Sequence, residues 1–256
     1  MWQLAYFQMA GSGKQRNQDA LFNGQEVYYA LLRKTRVLNF SDELTVRLAI
    51  SDGVFSSPAP HLASRFWMQT FMQYGDESGR FLRQYHGKFC DEMIESHFVG
   101  SAATFVSAIT MPDGRCYICN VGDSRAYRIS VNGRWQQVSH DHTLLAEFIE
   151  QGQAQIGQSY AGIYDALAQC LIADSNENDF RIFTTSFVLQ AGETILLCSD
   201  GLSDALNHDE IELIWNRHLA VEERLEALRK RIQKQAQYDD CSVVCAHYYQ
   251  KIQPEQ

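Results

Sequence analysis

Five short stretches of this 256-residue chain place an aspartate where an apolar run begins or ends. Asp52 follows "RLAI", Asp200 follows "ILLC", and Asp123 sits in "CNVGDSRAYRI". Asp239 and Asp240 precede "CSVVCA", and Asp19 lies in "KQRNQDALF". Asp204 follows Asp200 by one helical turn. A single Asp-Gly after a strand is most simply a turn. Several acids at the tips of core strands are harder to read that way, because packed together they repel unless a cation neutralises them. Carboxylate oxygens with little His or Cys beside them favour a hard ion, Mg²⁺ or Mn²⁺, over zinc. Two such ions about 4 Å apart make the kind of site that attacks phosphate esters with a metal-activated water.

Such acids need strands to carry them. Apolar, β-branched and aromatic runs bounded by turn residues predict strands near 2–9, 19–31, 45–51, 102–110, 115–121, 124–130, 180–188, 193–199 and 241–249. Helical periodicity predicts helices near 58–74, 78–97, 141–151, 162–172, 208–218 and 221–237. In the last of these, Val221, Leu225, Leu228 and Ile232 fall on one face. "MPDGRC" and "SVNGRW" place Asp-Gly and Asn-Gly between strand-like runs, as two-residue hairpins do. Tight hairpins join antiparallel neighbours, so antiparallel sheets with helices outside are expected, and a parallel βαβ series is not.

Composition bounds the possibilities. A net charge of −9 argues against a broad nucleic-acid surface. No apolar run reaches membrane-spanning length, and the N-terminus lacks the basic and apolar regions of a signal peptide. Seven Cys, mostly inside apolar runs, read as core thiols of a reducing, cytoplasmic setting. Cys116 and Cys119 have no second pair at zinc spacing. "GSGKQ" lacks the first Gly and the Ser/Thr of a phosphate-binding P-loop. "HDHT" is most simply a helix start capped by Asp141, and "FWMQTFMQY" a helix face packed in the core.

With these residues in view, the chain resembles the metal-dependent protein phosphatases of type 2C, the PPM family. The matching pieces are "GSGKQRNQDA", "LAISDG", "GSAATFVSAI", "CNVGDSRAYRI", "DHTLLAEFIEQGQ", "LLCSDGLSDAL" and "DDCSVV", spread over nearly the whole chain. "VGDSRAY" and "LLCSDGLSD" are the specific ones. The resemblance implies an α+β fold: a sandwich of two antiparallel sheets with helices on both outer faces, forming one domain over 1–256. It implies a protein serine/threonine phosphatase that hydrolyses phosphoserine and phosphothreonine with a metal-activated water, using two or three Mn²⁺ or Mg²⁺ ions. Asp52 would bridge two ions and the Gly53 carbonyl would bind one. Asp200 and Asp239 would complete the first metal, and Asp19 would hold metal-bound water. Asp123 and Asp204 would join Asp200 around a third ion of bacterial-type members. Lys14 would meet the substrate phosphate. Residues 141–178 correspond to the family's flap, where substrate choice would reside. The implied partners are phosphorylated proteins, substrates of a Ser/Thr kinase, met by a monomer with no membrane or nucleic-acid attachment.

The chain departs from the family pattern in several places. Lys14 stands for the usual Arg and cannot grip two oxygens as a guanidinium does. "VFSSPAPH" replaces Met-Gly-Gly-His, so Ser57 stands where a His often serves as proposed general acid, and His61 reads as a surface helix residue. Gln18 replaces Glu, and Asp240 replaces Asn. Asp204 has a bland alternative as a helix N-cap. The missing Gly-Gly-His and the Lys14 exchange leave room for a second reading, an inactive phosphatase-like module that binds phosphoproteins or regulates a partner. Retention of mutually repelling acids argues for the active enzyme.

Overall fold

The computed structural model describes residues 1–41, 44–155, 158 and 160–249. Residues 250–256 of the expected 1–256 domain and residues 156, 157 and 159 of the 141–178 segment therefore lie outside the described residues. In chain order the elements are β1 (Trp2–Met9), β2 (Ala20–Phe22), β3 (Val27–Tyr28), β4 (Arg36–Phe40), β5 (Val46–Ser51), α1 (Pro60–Tyr74) and α2 (Arg80–Glu95). Next come β6 (Ala102–Ala103), β7 (Phe105–Thr110), β8 (Arg115–Val121), β9 (Arg125–Ile129), β10 (Trp135–Gln137), α3 (Leu144–Glu150), a 3₁₀ turn (Gly162–Asp165) and β11 (Leu171–Ile172). The chain finishes with β12 (Phe183–Val188), β13 (Thr194–Cys198), α4 (Asp200–Ala205), α5 (His208–Asn216), α6 (Val221–Ile232) and β14 (Cys241–Tyr248).

Period-2 alternation builds the layers. In β14, Val244 and Ala246 enter the core between the sheets, while Cys241, Val243 and Cys245 face the helices outside. In β13, Ile195 and Leu197 point inward, and Leu196 and Cys198 outward. In β5, Leu48 and Ile50 join the inner core while Ala49 joins the opposite outer one. The result is two six-stranded antiparallel sheets, β10-β9-β13-β14-β1-β4 and β12-β8-β7-β5-β2-β3. Trp67, Phe71, Phe81 and Phe89 of α1 and α2 cover the second sheet. Trp215, Leu225, Leu228 and Ile232 of α5 and α6 cover the first. The "FWMQTFMQY" face is buried as expected, and both Gly-containing hairpins form, with Gly114 and Gly133 at φ 85° and 76°.

Some expectations fail locally. The helix expected at 162–172 is a 3₁₀ turn followed by β11, which pairs with β6. Strands β4 and β10 and the short helix α4 were not anticipated. Asp141 does not cap α3: the Thr143 hydroxyl accepts from Ala146 N at 3.2 Å, and Asp141 instead takes a forked ion pair from Arg125. No helix among the described residues is long and apolar enough to cross a membrane.

Candidate active site

Antiparallel register brings the acids to one end of the sandwich. β5 stops at Ser51, which faces Ala20, so Asp52 and Asp19 emerge side by side. β13 stops at Cys198, opposite Val243 of β14 and Arg125 of β9. Asp200, Asp239 with Asp240, and Asp123 in the β8–β9 turn therefore leave the ends of β13, β14 and β9 in the first sheet at the same level. The strand predicted at 102–110 breaks at Thr104, and the break fixes Asp52. Thr104 N donates to the Asp52 carbonyl at 2.8 Å, and Asp52 N donates to Thr104 Oγ1 at 3.0 Å. Ser124 Oγ holds that hydroxyl from the other side at 2.7 Å.

Asp19 is 1% exposed. Its Oδ2 accepts from Ser199 Oγ at 2.9 Å and Ser242 Oγ at 2.7 Å, while Oδ1 is buried with no donor. Both serines precede or follow motif acids in "CSDG" and "DCSVV", and their polarity inside apolar strands was the signal that could have singled them out. Asp240 is buried as well, and its carboxylate staples the 11–18 loop. Oδ1 accepts from Gly11 N at 2.7 Å, and Oδ2 accepts from Gln18 N at 2.9 Å and Lys14 Nζ at 3.3 Å. Lys14 also donates to Asp239. Burial lowers the Lys14 pKa, but its bond to Asp239 and the charge of Asp240 outweigh this and leave it raised.

A cleft of about 260 Å³ opens over these groups, bordered by Lys14, Gln18, Asp52, Gly53, Phe55, Asp123, Leu167, Asp200 and Asp239. A neighbouring hollow of about 230 Å³ shares Asp123 and Asp200 and adds Asp204, Asp165 and Asp141. Asp204 sits inside α4 behind its N-cap Ser199, and Asn207 caps α5, so the N-cap reading of Asp204 does not hold. Ser57 and His61 stand apart from the cleft lining. Ser57 Oγ accepts from Ala102 N at 3.1 Å, and His61 Nε2 lies 2.9 Å from Arg16 Nη1. Burial, then the charges of Arg16 and Arg65, lower the His61 pKa.

Burial and like charge act together on the acids. Burial, then Asp240, push Asp19 up to about 7. Burial, then Asp200, do the same for Asp123, and hold Asp204 at about 6. Asp52 is driven well above its ordinary value by burial, then by Asp19 and Asp200; Asp200 is raised by burial first. The acids border an open cleft, and among the described residues no group of three or more His, Cys, Asp or Glu side chains is arranged to hold a metal ion as it stands. Three features nonetheless suit a divalent cation: the orphaned Asp19 Oδ1, the concentration of carboxylates, and the close-packed Gly53. A Cβ there would meet the Pro60 carbonyl at 2.5 Å and Gln18 O at 2.8 Å, so only glycine brings this backbone to the cleft. Gly201 is equally constrained, since a Cβ would lie 2.0 Å from Asp240 O.

The family model for protein phosphatase 2C matches residues 13–237. A serine/threonine phosphatase, stp, of Listeria monocytogenes is 27% identical over 197 residues, covering 75% of this chain and 77% of its own. Serine/threonine phosphatase Stp1 of Staphylococcus aureus superposes with a TM-score of 0.77 at 20% identity, over 98% of this chain and 96% of that one. The catalytic domain of phosphatase PstP, solved in complex with two manganese ions, superposes at 0.71 with 20% identity, over 98% and 100%. At these identities the structural likeness speaks for the fold.

Proposed function

The chain belongs to the protein phosphatase 2C family, and on that premise we propose that it is a metal-dependent protein serine/threonine phosphatase using Mn²⁺ or Mg²⁺. The observation that carries this reading is the convergence of Asp52, Asp123, Asp200 and Asp239 at one end of the sandwich around a cleft that Lys14 also borders, with buried Asp19 beside Asp52. Asp52, the Gly53 carbonyl, Asp200 and Asp239 would hold two ions, with Asp19 acting on water between its serine partners and the cleft. Asp123 and Asp204 would join Asp200 at a third. When bound, the ions supply Lewis acidity to phosphoryl oxygens and lower the pKa of a water.

The protein's own groups orient this chemistry. Thr104 and Ser124 lock the Asp52 backbone. Ser199 and Ser242 hold Asp19 by one oxygen and leave the other without a donor. Lys14, fixed by Asp240, presents one ammonium to the phosphate, a point charge in place of a bidentate fork. Neither Ser57 nor His61 is placed to protonate a leaving group, so that proton comes from solvent water entering the cleft. The substrates are phosphorylated proteins, and the enzyme opposes a Ser/Thr kinase as a cytoplasmic monomer. Residues 141–178, which border the second hollow through Asp141, Thr143 and Asp165, serve as the substrate-selecting flap. Nothing in the site favours the inactive binding module.

The test is phosphate release from phosphoserine and phosphothreonine peptides after chelation, with Mn²⁺, Mg²⁺ or Zn²⁺ restored separately. Activity should vanish on chelation and return with Mn²⁺ or Mg²⁺ and not with Zn²⁺. Full activity after exhaustive chelation would overturn the reading.

A further inference from the structure

Phe55 is 74% exposed at the border of the catalytic cleft. A lone exposed aromatic needs no explanation, but this one is held in a particular way. It occupies the tip of a turn closed by Ser57 N donating to Val54 O at 2.9 Å. The turn is tied to β6 at both ends, through Val54 N to Ala102 O at 2.9 Å and Ala102 N to Ser57 Oγ at 3.1 Å. Ala59 N to Ser101 Oγ at 3.0 Å fixes the exit. The ring is thus presented from a rigid backbone, with little ordering left to be done on binding.

Its position beside the reacting centre is equally definite. The Lys14 ammonium lies 5.4 Å from the ring centroid, and Gly53 and Asp52 are two and three residues before it in the same cleft wall. Leu167 lines the cleft too, fixed by a bridge to Thr143 and by Ala168 N donating to His142 O at 2.8 Å.

We propose that Phe55, with Leu167, forms a subsite for an apolar side chain next to the phosphorylated residue of the substrate, so that the enzyme selects phosphoserine or phosphothreonine flanked by apolar residues. This rests on the reading of the chain as a protein phosphatase. In an extended peptide the rise is about 3.3 Å per residue, so a residue one or two positions from the phosphoamino acid reaches the ring. An acidic flank would be desolvated against the ring with no free donor, since Lys14 is already paired with Asp239 and Asp240. A basic flank would meet the Lys14 ammonium already lying against the ring. An apolar side chain meets neither obstacle and covers surface that is otherwise exposed to water.

The experiment compares kcat/KM for phosphoserine peptides that carry Leu, Phe, Gly, Glu or Lys at each flanking position, in wild type, Phe55→Gly and Phe55→Leu. Wild type should prefer Leu or Phe over Gly by about tenfold at one position, the discrimination a small apolar pocket gives. Phe55→Gly should bring that ratio to within about twofold, and Phe55→Leu should keep most of it. Thermal unfolding of both variants verifies that the exposed turn still folds. Hydrolysis of all peptides without flank preference, or a preference that survives in Phe55→Gly, overturns the subsite and leaves the phosphatase reading standing. Failure of wild type to hydrolyse any peptide in Mn²⁺ overturns the phosphatase reading and the subsite with it.

Discussion

Replacing Asp240 tests how the 11–18 loop is held over the site. Its two carboxylate oxygens receive the Gly11 amide at 2.7 Å, the Gln18 amide at 2.9 Å and the Lys14 ammonium at 3.3 Å. Hydrogen bonds to a charged group contribute about 1.5–3 kcal/mol each, so loss of both amide bonds in Asp240→Ala removes roughly 3–6 kcal/mol. Two effects act the other way. A buried charge need no longer be desolvated, and Asp19 loses a repelling neighbour. The net destabilisation is expected at about 2–4 kcal/mol, large for one substitution and consistent with a broken buried polar network. Asp240→Asn keeps one acceptor oxygen but turns an NH₂ toward a remaining donor, so about 1–3 kcal/mol is expected, the cost of one unsatisfied buried group. Denaturant unfolding at neutral pH with saturating Mn²⁺, extrapolated linearly, gives both numbers. The same variants should raise KM for phosphopeptides, because the loop that aims Lys14 is loosened. An Asp240→Ala protein within about 0.5 kcal/mol of wild type, the range of ordinary surface changes, would refute the stapling argument.

Further outcomes follow from the same geometry. Lys14→Ala should raise KM about 10- to 100-fold, the equivalent of one charged hydrogen bond, whereas Lys14→Arg should be tolerated; steady-state kinetics decide it, and unchanged KM in Lys14→Ala would assign the phosphate contact to another base. Asp123→Ala and Asp204→Ala should lower turnover while two ions stay bound, as calorimetric titration with Mn²⁺ would show; full turnover with unchanged ion count would remove both from the account. In chelated protein, Asp19 and Asp123 titrate near 7, above the 3.9 or so of an unfolded aspartate, so between these values the fold binds more protons than the unfolded chain. Their contribution to stability is therefore present at low pH and is lost as pH rises through about 7. Melting of the chelated protein should fall from pH 5 to pH 8, and saturating Mn²⁺ should flatten that slope; a flat profile without metal would count against a crowded acidic centre.

The acids were legible in the sequence because each marks an abrupt end of an apolar run, and antiparallel register turns such ends into neighbours. Asp19 gained its meaning the same way, from the pairing of Ala20 with Ser51. Long, strongly periodic elements were legible too, α6 above all. What could not be read was set by contacts distant in sequence. "GIYDALAQCLI" has helical composition, yet Leu171 and Ile172 pair with Ala103 and Ala102, and that pairing overrides local propensity. β4 carries exposed Arg36 and Asn39 at a sheet edge, so it lacks the apolar signature of a core strand. Asp141 looked like a cap because the sequence does not reveal that Arg125 lies beside it. Lys14 stood out in the sequence and borders the cleft, but its tether to Asp239 and Asp240 depends on the far end of the chain.

Most direct of all is a count of bound Mn²⁺ by electron paramagnetic resonance alongside phosphopeptide hydrolysis, in wild type and in Asp52→Asn and Asp239→Asn. The account predicts at least two ions per wild-type chain, with hydrolysis rising as they bind, and loss of ions together with at least a hundredfold loss of kcat/KM, roughly 2.7 kcal/mol, in each variant. Wild-type rates from a variant that binds no Mn²⁺, or a wild-type chain that hydrolyses phosphopeptides with no ion bound, would contradict it.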